Sequence, residues 1–372
     1  MVYWNFEISQ GRGASPRVES QARSNTFWGG GETPFCPGAE NSLYRKGCRE
    51  PDMSDIPPVP AAEPQADFFE LFRLLGKNPP PPLPSRGYRL ALADGSRWWL
   101  SGIGHTAARV ERLAAIMRLS PGERDGASVL LFTEGLTPPW PFNPPPTLPG
   151  WEVLEQRQLR GWFRPGQTHT LVELPFTEAE WVYLGLWSAL TFIYQESLRR
   201  GGLPLHGALV SREGQAVSLV APGETGKSTC CRRLPSPWRS LCDDEHLVVL
   251  GPDGKYLSHP FPTWSDYLFE RGEFTWEVQE AVPLAAVCFL EQAPEDAIEP
   301  VGQGRAAVAL YESSLETRYK LWLSPRHRGE AAYRRFTFDN AASLATRLPA
   351  FRLRVSLTGR FWELLDTALG WR

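Results

Sequence analysis

Hydrophobic and polar positions along the chain change period several times, and the changes mark the elements. Phe68, Phe69, Leu71, Phe72, Leu74 and Leu75 crowd into a short apolar stretch that predicts a helix ended by Gly76. Pro79 to Pro84 then reads as a stiff extended linker. Tyr88–Leu92 and Arg97–Leu100 flank Ala93-Asp94-Gly95-Ser96, a hairpin signal through Asp-Gly. Val110, Leu113, Ala114 and Met117 recur at helical spacing within 106–119. Strands are expected over 128–133, 161–163 and 169–174, with a second proline-rich connector at 138–149 and a turn at Pro165-Gly166. This first half reads as a small, hairpin-rich α+β domain over 66–176.

Glu178 to Arg200 predicts the longest helix. Thr177 and Glu180 form a capping box, and Gly201 ends the helix. Trp181, Leu184, Leu186, Leu190 and Ile193 leave it apolar on much of its surface, as expected of a helix buried between the two halves. Beyond it, Leu205–Val210 and Ala216–Val220 are strand-like runs joined by a turn at Arg212-Glu213-Gly214. Further strands are expected at 247–250 and 285–291 and a helix at 304–317, with helix, strand and helix closing the chain. No internal repeat is visible, and 177–372 reads as a second domain.

Residues 1–65 lack any sustained period and have the composition of a disordered tail. Met53-Ser54-Asp55-Ile56 offers an alternative natural start, which would leave 1–52 as upstream sequence. Lys plus Arg number 39 and Asp plus Glu 42, a formal charge of −3. That balance argues against a generic nucleic-acid or anionic-membrane binder. No apolar run reaches the roughly 18–20 residues that span a bilayer. The six cysteines show no C-x-x-C spacing, so a reduced cytoplasm is the expected compartment.

The chemistry concentrates at Ala221-Pro222-Gly223-Glu224-Thr225-Gly226-Lys227-Ser228-Thr229. A buried strand enters this stretch and a helix-compatible run follows until Pro235, the context that makes a phosphate-binding loop credible. Backbone N–H groups at the helix start converge on one spot. Lys227 would reach the β- and γ-phosphates, and Ser228 would place its hydroxyl on magnesium. The loop departs from G-x-x-x-x-G-K-[ST] at Ala221. If that position needs a left-handed backbone, alanine costs roughly 1–2 kcal/mol. Gly223 is expected to take over part of the turn.

Asp243 and Asp244 follow Lys227 by sixteen and seventeen residues. A magnesium nucleotide site needs a carboxylate near the metal, and transfer to a hydroxyl needs one to accept the proton. Two adjacent aspartates could divide those roles, Asp244 with Ser228 at the metal. Upstream, His206 sits at a strand start, suited to orienting one aspartate. Trp264, Asp266, Tyr267 and Trp276 form an aromatic, charged stretch that reads equally as a recognition lid or as packing, while Arg305 reads as solvent-facing.

Leu205-His206-Gly207-Ala208-Leu209-Val210, the loop ending in Gly226-Lys227-Ser228, and Asp243-Asp244 together resemble the core of HPr kinase/phosphorylase over roughly 203–260. The resemblance implies a P-loop core related to phosphoenolpyruvate carboxykinase. It places Lys227 and the loop on ATP phosphates, Ser228 on magnesium, Asp243 as base or metal partner and His206 in support. That family has glycine where this chain has Ala221 and Glu224, and its E-I-R-G segment is replaced by His259–Tyr267. These departures point away from HPr as acceptor and further from phosphorolysis. The Pro-Thr-Trp-Ser-Asp stretch and Phe289-Leu290-Glu291-Gln292 are similar to an offshoot, the C proteins of SynChlorMet cassettes, which are associated with radical-SAM enzymes and peptide modification. The function expected is ATP- and magnesium-dependent phosphoryl transfer to a hydroxyl, a serine of a small protein or peptide. The alternatives are a catalytically weak nucleotide-binding accessory protein of such a cassette, with a radical-SAM enzyme as partner, or an ATPase switch.

Overall fold

The computed structural model describes residues 64–137, 144–156, 158–174, 179–268, 271–319 and 330–371. The tail expectation, the Met53 alternative and the Thr177–Glu180 capping box lie outside the described residues. Residues Ile56–Arg372 belong to one unit. It is mixed α/β and built on two mixed sheets.

Helix α1 (Pro64–Leu74) precedes a seven-stranded sheet of β1 (Gly87–Ala91), β2 (Arg97–Gly102), β3 (Ser120–Gly122), β4 (Ser128–Glu134), β5 (Glu152–Gln156), β6 (Leu159–Phe163) and β7 (His169–Leu174), in the order β3-β1-β2-β4-β7-β6-β5. The Asp94-Gly95 hairpin forms as expected: Gly95 has φ 81° and Asp94 accepts from the Ser96 N–H at 2.8 Å. The hairpin-rich expectation is corrected at the centre. β2, β4 and β7 run parallel, and α2 (Thr106–Ile116) makes the crossover from β2 to β4. β4 and β7 bury almost every side chain, so their apolar runs carry no period-2 signal that would separate parallel from antiparallel pairing.

The expected helix from 178 to 200 is two helices, α3 (Ala179–Ala189) and α4 (Thr191–Arg199). At the break the Leu190 N–H bonds to the Trp187 carbonyl, three residues back. That tightened turn keeps Leu186, Leu190 and Ile193 all fully buried.

The second sheet has eight strands. β8 (Leu203–Arg212) pairs with β9 (Gln215–Val220) along one edge and with both β10 (Arg239–Cys242) and β11 (Glu245–Leu250) along the other. β11 continues to β12 (Tyr256–Phe261), and β12 to β13 (Val282–Gln292), which returns to β9. The pairings β8-β11-β12-β13-β9-β8 thus close a circuit. β15 (Ala350–Val355) extends the sheet parallel to β13, and β14 (Ala297–Pro300) forms its edge. Side chains alternate along these strands. Ala208, Val210, Val217, Leu219, Ala286 and Cys288 pack under α5 (Lys227–Arg233) and α9 (Phe361–Leu369). Leu205, Leu209, Ala216, Val220 and Val287 face a larger core shared with the first sheet, α7 (Gln303–Tyr319) and α8 (Glu330–Arg347). The short α6 (Trp264–Leu268) follows β12.

A buried histidine joins the two sheets. The Ala93 N–H, in the first hairpin, donates to His259 Nε2 at 3.0 Å, and His259 Nδ1 donates to the Val278 carbonyl at 2.7 Å. These partners require the neutral ring, and burial lowers the His259 pKa below 6.5. His246, held between the Ser218 and Ser258 hydroxyls, is pushed down to about 3 by burial and then by His206.

The unfolded chain therefore binds more protons than the folded one below pH 6.5. Stability from these rings is full above that pH and is lost as pH falls, at about 1.4 kcal/mol per pH unit for each proton. His259→Asn keeps a donor for Val278 and removes the titration. Urea unfolding between pH 5 and 7 should show the slope of stability against pH reduced, most strongly towards pH 5; an unchanged slope would exclude His259 as a source.

Candidate functional site

The loop between β9 and α5 leaves Pro222, Gly223 and Glu224 exposed while Ala221 and Lys227 are buried. Its backbone corrects the sequence expectation. Ala221 and Gly223 are absent from the positive-φ positions; the left-handed residues are Glu224, at φ 64°, and Gly226, at 103°. The departure at Ala221 is therefore unstrained, and its methyl packs in the core beneath the loop. The strain falls on Glu224, where the side chain projects into solvent and the carbonyl accepts from Gln292 Nε2 at 3.2 Å.

Lys227 begins α5 and turns back into the loop. Its ammonium donates to the carbonyls of Ala221 at 2.7 Å and Pro222 at 2.9 Å, and lies 3.1 Å from His206 Nε2. Thr225 braces the same carbonyl of Pro222 at 3.0 Å. The neighbouring Ser228 hydroxyl is half-buried and has no hydrogen-bond partner among the described residues. Thr229 receives only a long 3.5 Å contact from Arg232.

Asp243 and Asp244 form the turn between β10 and β11 rather than lying on a strand. They nevertheless diverge. Asp243 Oδ1 accepts the Thr263 hydroxyl at 2.5 Å, and Asp244 Oδ1 lies 3.2 Å from His206 Nε2. His206, on β8, thus faces both Lys227 and Asp244, with its backbone N–H accepted by Ser313 at 3.1 Å. The acidic turn is anchored from behind by Glu245, which is 1 % exposed and accepts Trp187 Nε1 at 3.1 Å and the Tyr194 hydroxyl at 3.2 Å. Burial and then the Glu245 charge raise the Tyr194 pKa well above its ordinary value, so the hydroxyl stays a donor.

Sequence reasoning missed Glu316. It reaches from α7 to within 2.5 Å of His206 Nδ1. The only trace in the sequence is Ser313 and Glu316 at helical spacing, which without the fold is an ordinary polar helix face.

The aromatic stretch resolves towards packing rather than a lid. Trp264 is fully buried and stacks on Trp187 at 6.4 Å, Tyr267 packs on Tyr183 at 5.1 Å, and the Trp276 N–H bonds to the Ile116 carbonyl. Asp266 feels the acidic turn electrostatically: burial, then the charges of Asp243 and Asp244, raise its pKa. Arg305 is exposed at the start of α7. Cys230 and Cys231 are pushed up to about 11 and 12 by burial, which leaves them as inert thiols.

Among the described residues, no group of three or more His, Cys, Asp or Glu could hold a metal, and no helix is long and apolar enough to cross a membrane. Magnesium at a nucleotide commonly takes only one or two carboxylates and completes its shell with phosphate oxygens and water.

The loop geometry makes opposite demands at the two positions where glycine was expected. Glu224→Gly should stabilise by about 0.5–1 kcal/mol, as relief of the left-handed backbone exceeds the added chain entropy. Ala221→Gly should destabilise by about 1 kcal/mol through lost methyl burial and that same entropy. Urea midpoints of both variants measure this, and the reverse order would refute the assigned backbone.

The family model described as SynChlorMet cassette protein ScmC matches residues 171–370, from the last strand of the first sheet through α9. A search of curated proteins finds no match. With more than half its length covered, the chain belongs to the SynChlorMet cassette protein ScmC family.

Proposed function

We propose that the chain binds ATP with magnesium and transfers its γ-phosphoryl group to a hydroxyl, on an HPr-kinase-like P-loop core of the phosphoenolpyruvate carboxykinase type. The observation that carries this reading is the convergence at His206. The loop lysine lies 3.1 Å from its ring, and an aspartate of the acidic turn lies 3.2 Å from the same nitrogen. Elements distant in sequence thus place a phosphate-type cation beside a carboxylate.

The residues present fit the group. Lys227 is held by carbonyl acceptors that phosphate oxygens can replace, and Ser228 beside it presents an uncommitted hydroxyl. Bound ATP and magnesium would supply the phosphoryl group and neutralise the charge that builds on it. On the protein side, Gly223, Glu224, Thr225, Gly226 and Thr229 shape the loop around the phosphates, with Lys227 as the counter-charge. Ser228 and Asp244 serve as the metal-side oxygens, with the His206 ring 3.2 Å from the Asp244 carboxylate. Asp243 takes the proton of the acceptor hydroxyl. Its Oδ1 is held by Thr263, which orients the remaining oxygen. The cassette setting of the family points to a serine or threonine of a small protein or peptide as acceptor.

One observation favours a second reading, a nucleotide-binding accessory protein working beside a radical-SAM enzyme. The carboxylate assigned as base already accepts a hydroxyl of its own chain at 2.5 Å.

Lys227→Ala should abolish magnesium-ATP binding measured by calorimetry; a wild-type chain that binds no ATP would end both readings. Asp243→Asn should keep ATP affinity within about threefold while lowering transfer of labelled γ-phosphate to cassette-encoded peptides by about a hundred- to ten-thousand-fold. Binding without any transfer in the wild type would select the accessory reading.

A further inference from the structure

We propose that Glu316 is a positioning residue of this site, setting the tautomer of His206 and through it the place of Lys227. This rests on the phosphoryl-transfer reading for its consequence, though not for its structural content.

Four groups surround the His206 ring and backbone. Glu316 Oε2 lies 2.5 Å from Nδ1, Lys227 Nζ 3.1 Å and Asp244 Oδ1 3.2 Å from Nε2, and Ser313 Oγ brackets the main chain. The Ser313 hydroxyl accepts the His206 N–H and donates to the His206 carbonyl at 3.2 Å. One turn of α7 therefore grips both backbone and ring, through residues three apart. The ring is 2 % exposed, so solvent offers no alternative partner to either nitrogen.

The chemistry follows from what each neighbour can accept. A carboxylate against Nδ1 demands that this nitrogen carry the proton. Lys227 and Asp244 both lie at Nε2; with the proton on Nδ1, Nε2 presents its lone pair to the ammonium, and the Asp244 oxygen receives no proton from the ring. The opposite tautomer would offer its N–H to Asp244 and leave Lys227 without its ring acceptor. Free imidazole side chains prefer the proton on Nε2, so the observed arrangement needs a partner that overrides the preference. Glu316 is that partner. Half-exposed on α7, it stands outside the loop and the acidic turn and reaches the site through the ring.

The test uses the full chain labelled with 15N-histidine, with the His206 signals assigned by their loss in His206→Asn. In the wild type, Nδ1 should carry the proton, strongly downfield, and Nε2 should be unprotonated. Glu316→Ala should move the proton to Nε2 and weaken magnesium-ATP binding by about ten- to a hundredfold. Glu316→Gln, which still accepts through its amide carbonyl, should keep the tautomer, shift the proton upfield, and weaken binding less than threefold. An unchanged tautomer in Glu316→Ala overturns the proposal, as does a changed tautomer with unchanged ATP affinity. If the alanine variant does not fold, an Nδ1 proton shift identical in wild type and Glu316→Gln overturns it. If the wild type binds no ATP, the phosphoryl-transfer reading fails, and the tautomer comparison still decides whether Glu316 sets the ring.

Discussion

His206 is where a buried cation meets its counter-charges, and the second half of the molecule is arranged around that meeting. Lys227 is 6 % exposed, and an ammonium taken so far from water is costly unless its donors are matched. Two loop carbonyls and one imidazole nitrogen do the matching. On the far side of the ring Glu316 lies 2.5 Å from Nδ1, and the strand that carries His206 must bring that carboxylate, the acidic turn and the loop together. The closed circuit of strands meets this requirement. β8 pairs with β9, which leads into the loop, and with β11, which leads out of the acidic turn. α7 then lies against β8 with Ser313 and Glu316 at the ring.

The same strand arrangement anchors the acidic turn. Glu245 opposes His206 in register across β8 and β11, and its buried carboxylate is tied to Trp187 on α3 and Tyr194 on α4. A buried carboxylate with two fixed donors is held in one geometry, because losing either donor would leave charge uncompensated. Asp243 and Asp244 inherit that fixity one and two residues away. The break at Leu190 matters here, since it lets Trp187 and Tyr194 approach the same oxygen from two separate helices.

How much of this was legible in the sequence differs by the range of the interaction. Strand, loop and helix around Lys227 are local, and hydrophobic period plus glycine placement sufficed to find them. The approach of His206 to an aspartate was anticipated through resemblance, although the partner, Asp244, needed the fold. Glu316 was invisible because it stands 110 residues from His206 and carries no local pattern. The strain at Glu224 was misplaced onto Ala221 for a related reason. A motif records which positions usually hold glycine, whereas the φ angles depend on how the loop is anchored, here by Gln292 at the end of β13. In the first sheet, the parallel core was read as hairpins because strands buried on both faces lose the alternation that reveals their partners.

The departures of this loop from the glycine pattern amount to a shift of support. Ala221 fills the core below the loop with a methyl group where glycine would leave space, so that position trades backbone freedom for packing. The cost reappears at Glu224, whose left-handed backbone is kept in place by a hydrogen bond from β13. β13 is also the strand that joins β12 to β9 in the closed circuit, so the loop crown is braced by the same element that positions the sheet beneath it. For the proposed phosphate, Lys227 would exchange its two carbonyl partners while keeping the imidazole on its other side.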